Sequence, residues 1–124
     1  MNQKFYDEIK NILSTARNKV YQTANFTMVE AYWNIGKSII EEQGGNEKAE
    51  YGTGLLKELS KQMTKDFGKG FTVTNLKYMR QFYLTFPNSH ALRDELSWTH
   101  YRLLMRVEND NARKFYMEEA VKSQ

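Results

Sequence analysis

Apolar side chains recur every three or four residues along the chain, the spacing that places them on one face of a helix. Six helical segments are predicted, and no run of four to eight residues alternates as a half-buried strand does. The residues predicted to face the core are Phe5, Ile9, Ile12, Leu13, Ala16 and Val20; Val29, Tyr32, Trp33, Gly36 and Ile40; Leu55, Leu59, Met63 and Phe67; Leu76, Met79, Tyr83 and Phe86; Trp98, Tyr101, Leu104 and Met105; and Ala112, Phe115, Tyr116 and Ala120. The pattern predicts an all-α fold, a compact bundle of about six helices.

Glycine, proline and capping residues mark the ends of these segments. The second segment runs from about residue 27 into Gly44-Gly45-Asn46, which is typical of a helix end and loop. Gly68-Lys69-Gly70 separates the third from the fourth, because glycine accepts left-handed backbone angles, and Pro87 ends the fourth. The residues predicted to cap the last three helices are Thr72, Ser97, and either Asn109 or Asp110.

Two further local features predict how the segments pack. Gly36 lies in the middle of a helix, where glycine costs about 1 kcal/mol relative to alanine, so we expect another backbone to approach closely there. Phe71 precedes the Thr72 cap and is placed to pack on Leu76 as a hydrophobic staple.

Length and composition bound the class of protein. The chain has 124 residues and 40% hydrophobic residues, which is compatible with one globular domain over residues 1–124. It contains no cysteine, which excludes disulfides and thiolate metal sites. No apolar run approaches the ~18–20 residues of a membrane span. We therefore expect a soluble, cytoplasmic protein with no membrane contact.

Positive charge is concentrated in the middle of the sequence. The formal net charge of the chain is +3, and residues 52–87 alone carry six Lys or Arg against two acidic residues. Segregated positive charge is one signature of proteins that bind polyanions, although it is weak by itself.

The side chains needed for catalysis do not form a recognisable set. His90 and His100 are ten residues apart, and neither has a partner at the spacing that brings two ligands to one helical face. Adjacent acidic pairs such as Glu41-Glu42 diverge on a helix and do not converge on a metal ion. We expect no metal, no cofactor and no enzymatic activity from this chain itself.

Residues 52–87 resemble a helix-turn-helix unit, because two helices flank a short glycine turn and a threonine cap. In such a unit the polar face of the second helix enters the major groove. An ordinary helical hairpin is the alternative interpretation. The predicted DNA-binding residues on the second helix and its turn are Lys69, Thr72, Thr74, Asn75, Lys77, Tyr78, Arg80 and Gln81.

Five ordered blocks of sequence resemble the YhcG family of bacterial proteins. They are Ala31-Tyr32-Trp33-Asn34-Ile35-Gly36-Lys37-Ser38-Ile39, Tyr51-Gly52-Thr53-Gly54-Leu55-Leu56-Lys57-Glu58-Leu59-Ser60, Phe71-Thr72-Val73-Thr74-Asn75-Leu76-Lys77-Tyr78-Met79-Arg80-Gln81-Phe82-Tyr83, Leu96-Ser97-Trp98-Thr99-His100-Tyr101 and Ala112-Arg113-Lys114-Phe115-Tyr116. Together they cover roughly residues 25–120.

The resemblance implies an all-helical N-terminal domain that is followed, in full-length members, by a nuclease domain of the PD-(D/E)xK type. The nuclease residues have no counterpart in this chain. We therefore expect a non-catalytic domain that docks the C-terminal nuclease domain on DNA. The alternative is a dimerisation or protein-interaction module that uses aromatic surface on the second and sixth helices.

Overall fold

The computed structural model describes residues 1–44 and 49–123, with side chains described at 1–44 and 54–123. It contains no strand within those ranges. A short 3-10 turn, Ser89–Ala91, lies between the third and fourth α-helices. The five α-helices are α1 (Gln3–Glu42), α2 (Ala49–Phe67), α3 (Val73–Thr85), α4 (Trp98–Leu104) and α5 (Asp110–Lys122).

The first two predicted segments form one helix, so the prediction of six helices is wrong. Helix α1 runs without interruption for 40 residues. The residues at the predicted junction, 21–27, include neither glycine nor proline, and nothing in their chemistry ends a helix. Gly44 follows α1 with φ of 78°, while the predicted stop residues Gly45 and Asn46 lie outside the described residues.

The second half of α1, together with α3, α4 and α5, encloses the larger core cluster. Trp33 of α1 packs among these side chains, and its indole Nε1 donates a buried hydrogen bond of 2.7 Å to the carbonyl oxygen of Phe86. The buried members of the cluster are Val29, Trp33, Phe82, Phe86, Leu96, Tyr101, Leu104 and Met117. A second, smaller cluster joins α1, α2 and α3 through Ile39, Leu56, Leu76 and Met79.

Gly36 lies where α1 contacts α3, as the sequence predicts. A Cβ atom added there would lie 2.0 Å from the carbonyl oxygen of Met79 and 3.2 Å from the Cβ of Tyr83. Because no side chain fits in that space, glycine is required for the close contact between the two helices.

The predicted boundaries of the later helices are confirmed by their hydrogen bonds. Thr72 caps α3 by accepting from the Asn75 N–H at 3.1 Å, and Asn109 caps α5. Ser97 caps α4 in a capping box with His100. Gly68 and Gly70 both have positive φ, at 79° and 107°.

Several predicted core positions are exposed. On α2, Leu56 is fully buried and Phe67 is exposed; on α5, Met117 is buried whereas Phe115 and Tyr116 are exposed. Phe82 of α3 is also fully buried, although the periodicity favours its neighbour Tyr83. Each buried residue that was missed adjoins one that the spacing favours, because the position of the neighbouring helix decides which side chain is covered.

The largest departure concerns residues 3–24 of α1, which we call the arm. Every side chain of the arm is exposed, including the predicted core residues Phe5, Ile9, Ile12, Leu13 and Val20. The helical prediction is confirmed there, but the predicted burial is wrong.

Candidate nucleic-acid interface

Four of the predicted DNA-binding residues lie on one face of α3. Thr74, Lys77, Tyr78 and Gln81 follow a spacing of three and four residues, which places them side by side on a helix. Thr74, Lys77 and Gln81 are exposed, and Tyr78 is half-buried. We call this set the α3 face. Residues Leu76, Met79 and Phe82 point to the core instead.

Two of the predicted DNA-binding residues form hydrogen bonds that stabilise the turn before α3. Thr72 Oγ1 accepts the Asn75 N–H, and the Asn75 side-chain Nδ2 donates to the carbonyl oxygen of Gly70 at 2.5 Å. These bonds hold the turn and the first turn of α3 in place. Both side chains therefore have a local structural role, which leaves less of their hydrogen-bonding capacity for a ligand.

The remaining predicted residues flank the α3 face. Lys69 is exposed in the glycine turn, and Arg80 is a half-buried residue of α3. Gln81 Nε2 donates to the Thr85 hydroxyl at 3.1 Å, one turn along the helix. Lys77 thus presents the most exposed charge on α3.

Two arginines from α4 and the residues just after it join the α3 face, and our sequence reasoning did not identify them. The Arg102 guanidinium lies over the Tyr78 ring, with Cζ 4.4 Å from the ring centroid. Hydrogen bonding to Arg102 and its positive charge, with a smaller contribution from Arg106, lower the pKa of Tyr78 below its ordinary value. Arg106 lies beyond the end of α4 at Leu104, so no spacing within one helix signals that the two arginines meet Tyr78.

Core aromatics determine where these arginines lie. Phe82 of α3 contacts the Trp98 and Tyr101 rings of α4, with centroid separations of 5.2 and 4.9 Å. The Tyr101 hydroxyl donates to the Arg93 carbonyl oxygen at 3.0 Å and accepts from the Arg93 N–H at 2.7 Å. This packing fixes α4 against α3, so Arg102 reaches the outer face of α3.

A row of lysines follows the exposed side of α2. Lys57, Lys61 and Lys65 recur every four residues, and all three side chains are exposed. Leu56, which anchors α2 in the smaller cluster, lies on the other side of that helix. The Ser60 hydroxyl donates to the Phe71 carbonyl oxygen at 2.7 Å and ties α2 to the segment that leads into α3.

The helix-turn-helix arrangement is not confirmed. Helices α2 and α3 do flank the predicted glycine turn, but α3 packs more extensively on α1 than on α2. The interface therefore consists of an α3 face supported from behind by α1 and extended by α4.

Comparison with known proteins identifies the family. The profile described as "DUF1016 N-terminal domain" matches residues 8–124. The chain belongs to this family. A protein of Escherichia coli strain K12, named "Putative nuclease YhcG", is 40% identical over 87 residues, which are 69% of this chain and 23% of that protein. No solved structure matches the chain.

These matches confirm the predicted resemblance and define its extent. This DUF1016 N-terminal domain spans less than a quarter of the length of its E. coli relative. The name of that relative describes the longer protein, so it does not assign an activity to the residues seen here.

Metal-binding and membrane-spanning features are absent from the described residues of this domain. No group of three or more His, Asp or Glu side chains in those residues is placed to hold a metal ion. Within the same residues, no helix combines the length and apolar character needed to cross a membrane.

Proposed function

We propose that this chain is a non-catalytic DNA-binding module that positions the nuclease region of a longer protein on its substrate. The observation that carries the proposal is the cationic surface where Arg102 lies over the Tyr78 ring and Arg106 acts on the same hydroxyl, beside the exposed Lys77. Lys and Arg side chains neutralise DNA phosphates, and this neutralisation supplies most of the affinity of non-specific binding.

Arg102 is the best-positioned residue for this role. Contact with the Tyr78 ring restrains its guanidinium group, which reduces the conformational freedom that binding would remove. The buried Arg102 Nε has no hydrogen-bond partner among the described residues. The α3 face then adds Lys77, Thr74 and Gln81 as polar contacts, with Lys69 and Arg80 at its margins.

The name of the E. coli relative supports the same proposal. The E. coli relative is named a nuclease, and a nuclease acts on nucleic acid. A module with exposed basic side chains would hold such an enzyme on DNA. In the longer protein the partner in cis is the C-terminal nuclease domain implied by the family resemblance.

The alternative proposal, an interaction module that uses aromatic surface on the predicted second and sixth helices, has exposed aromatic side chains on α5. Trp33 of the predicted second segment belongs to the core, whereas Phe115 and Tyr116 remain exposed with their ring centroids 5.5 Å apart. An apolar contact of that kind would be weakened little by salt.

The test is fluorescence anisotropy of a labelled DNA duplex titrated with the chain at low and moderate salt. We expect dissociation constants of about 10⁻⁴–10⁻⁶ M at physiological salt, with log K falling by about 0.9 per neutralised phosphate for each unit of log salt. The double variant Lys77→Glu/Arg106→Glu should weaken binding more than about tenfold and flatten the salt slope. Arg106 is chosen for this variant because its side chain is exposed, whereas that of Arg80 is half-buried.

A matched control separates local contacts from overall charge. Lys4→Glu/Lys114→Glu reverses two exposed charges away from the α3 face and changes the net charge by the same amount. It should retain most of the affinity. Equal losses in both double variants, or no binding by the unaltered chain at low salt, would contradict the proposal.

A further inference from the structure

The arm carries a continuous apolar surface that nothing in the described structure covers. Five large side chains on it are half-exposed or more, and they are spaced as a single helical stripe. We call Phe5, Ile9, Ile12, Leu13, Ala16 and Val20 the arm stripe. Contiguous exposed apolar surface of this kind marks an interaction site.

The arm stripe faces away from the side of α1 that packs on the core. Val20 belongs to the stripe and Val29 to the larger core cluster, and nine residues separate them. Nine residues are two and a half turns of helix, so the two side chains point in opposite directions. Since α1 is continuous, the body of the same molecule, which is the second half of α1 with α2–α5, cannot cover the stripe while the helix stays intact.

The spacing of the stripe reads the same in both directions. From Phe5 to Val20 the intervals are four, three, one, three and four residues. An isologous contact between two copies requires a surface that is complementary to itself after a two-fold rotation. A stripe with symmetric spacing meets this requirement when the two helices run antiparallel.

We propose that two copies of this chain associate through their arm stripes as an antiparallel helix pair. The two-fold axis would pass between Ile12 and Leu13. Phe5 of each copy would then meet Val20 of the other, and Ile9 would meet Ala16. The last pairing sets a large side chain against a small one, as interdigitated helix packing requires.

The charges beside the stripe favour the same arrangement on one flank. Glu8 and Lys19 are eleven residues, or about three turns, apart and therefore lie on the same side of α1. Antiparallel pairing brings Glu8 of one copy beside Lys19 of the other, and symmetry repeats the pair. The opposite flank brings Lys10 near Arg17. Because attraction and repulsion are both solvent-exposed, we expect little dependence of the association on salt.

The length of the stripe places the contact near the lower end of specific interface sizes. The stripe extends about 22 Å along the helix, and pairing two such stripes would bury on the order of 1,000 Å² in total, near the lower limit for a specific interface. Interfaces at this lower limit are typically weak and transient, so the test below covers dissociation constants of about 1–100 μM. This proposal is independent of DNA binding, since it uses the arm and not the α3 face.

Sedimentation equilibrium of the 124-residue chain across that concentration range is the first test. The unaltered chain should shift from monomer to dimer, and Leu13→Glu should raise the dissociation constant more than about tenfold by placing a charge in the centre of the contact. Leu103→Glu is the matched control, because Leu103 of α4 is 53% exposed and Leu13 is 54% exposed. It should leave the association unchanged.

Cross-linking tests the direction of pairing in a chain that has no natural cysteine. Ile12→Cys lies next to the proposed axis and should form a disulfide-linked dimer on mild oxidation. Phe5→Cys alone should not, whereas a mixture of Phe5→Cys and Val20→Cys should form the mixed dimer.

The opposite results would overturn the proposal. A chain that stays monomeric throughout the concentration range would leave the stripe for a segment beyond residue 124 or for another protein. Loss of association in Leu103→Glu but not in Leu13→Glu would place the contact on α4. Efficient self-linking of Phe5→Cys would mean that the helices run parallel.

Discussion

The two halves of α1 have the same secondary structure but opposite surroundings. Residues 26–42 pack against α3 and supply Val29, Trp33 and Ile39 to the two core clusters. The arm, residues 3–24, contributes comparable apolar side chains and buries none of them. Helical periodicity therefore establishes that a face is apolar, but the neighbouring elements decide whether that face is a core or an interface.

The largest contrast between the halves should appear in unfolding free energy. Leu76→Ala removes a fully buried side chain from the smaller cluster and should lower the unfolding free energy by about 2–5 kcal/mol. Leu13→Ala, on the arm, should change it by less than about 0.5 kcal/mol. Urea denaturation at protein concentrations that keep the chain monomeric measures both. Similar losses would mean that the arm packs on the body in solution.

An intermediate effect should appear at high pH. Burial raises the pKa of Tyr101 to about 12, whereas the same hydroxyl ionises near 10 in the unfolded chain. The unfolded state therefore loses its proton first, and the stability that the neutral phenol contributes is lost as pH rises from about 10 through 12. The loss should total about 2–3 kcal/mol.

Variants isolate that contribution from other groups that titrate at high pH. Tyr101→Phe should remove this part of the pH dependence, although it costs stability at neutral pH because its two hydrogen bonds to Arg93 are lost. Tyr6→Phe, on the exposed arm, supplies the reference curve. An unchanged slope in Tyr101→Phe would show that another group is responsible. Thermal melts recorded between pH 9 and 12 make the comparison.

The smallest contrast concerns two helix caps. Thr72→Ala removes the cap of α3 and should cost about 1 kcal/mol, with Thr72→Ser as the conservative control. Asn2 caps α1 by accepting the Lys4 N–H at 2.8 Å, yet Asn2→Ala should only increase fraying at the end of the arm. Amide hydrogen exchange would detect this fraying while the melting temperature stays the same. A drop in melting temperature would indicate that the arm unfolds cooperatively with the body.

Local chemistry predicted much of the fold. The Thr72, Ser97 and Asn109 caps, the positive φ of Gly68 and Gly70, and the close contact at Gly36 are all confirmed. Each depends on a few consecutive residues or on one backbone position. The same local signals did not identify the continuity of α1, because the sequence between its halves contains no residue that forces either outcome.

The residues of the candidate interface were likewise only partly predictable from local sequence. Lys77 and Tyr78 could be assigned to the outer side of α3 because Leu76 and Met79 mark its inner side. The contribution of Arg102 and Arg106 depends on how Phe82 packs against α4, and no pattern within one helix contains that information. Burial of Leu56 and Met117, where neighbouring residues were expected, likewise depends on the position of the adjoining helix.

Because α1 is continuous, the number of residues between its two halves determines the angle between the arm stripe and the core-facing side of the helix. One extra residue between Thr23 and Phe26 would leave both halves helical and change neither apolar surface. It would rotate the arm stripe by about 100° around the helix axis and displace it by about 1.5 Å. The number of residues in this short stretch therefore sets the direction in which the arm stripe faces relative to the core. Two relatives with the same stripe and the same core, but one residue apart in length here, would still pair through their stripes but would hold their remaining helices at different angles around the pair.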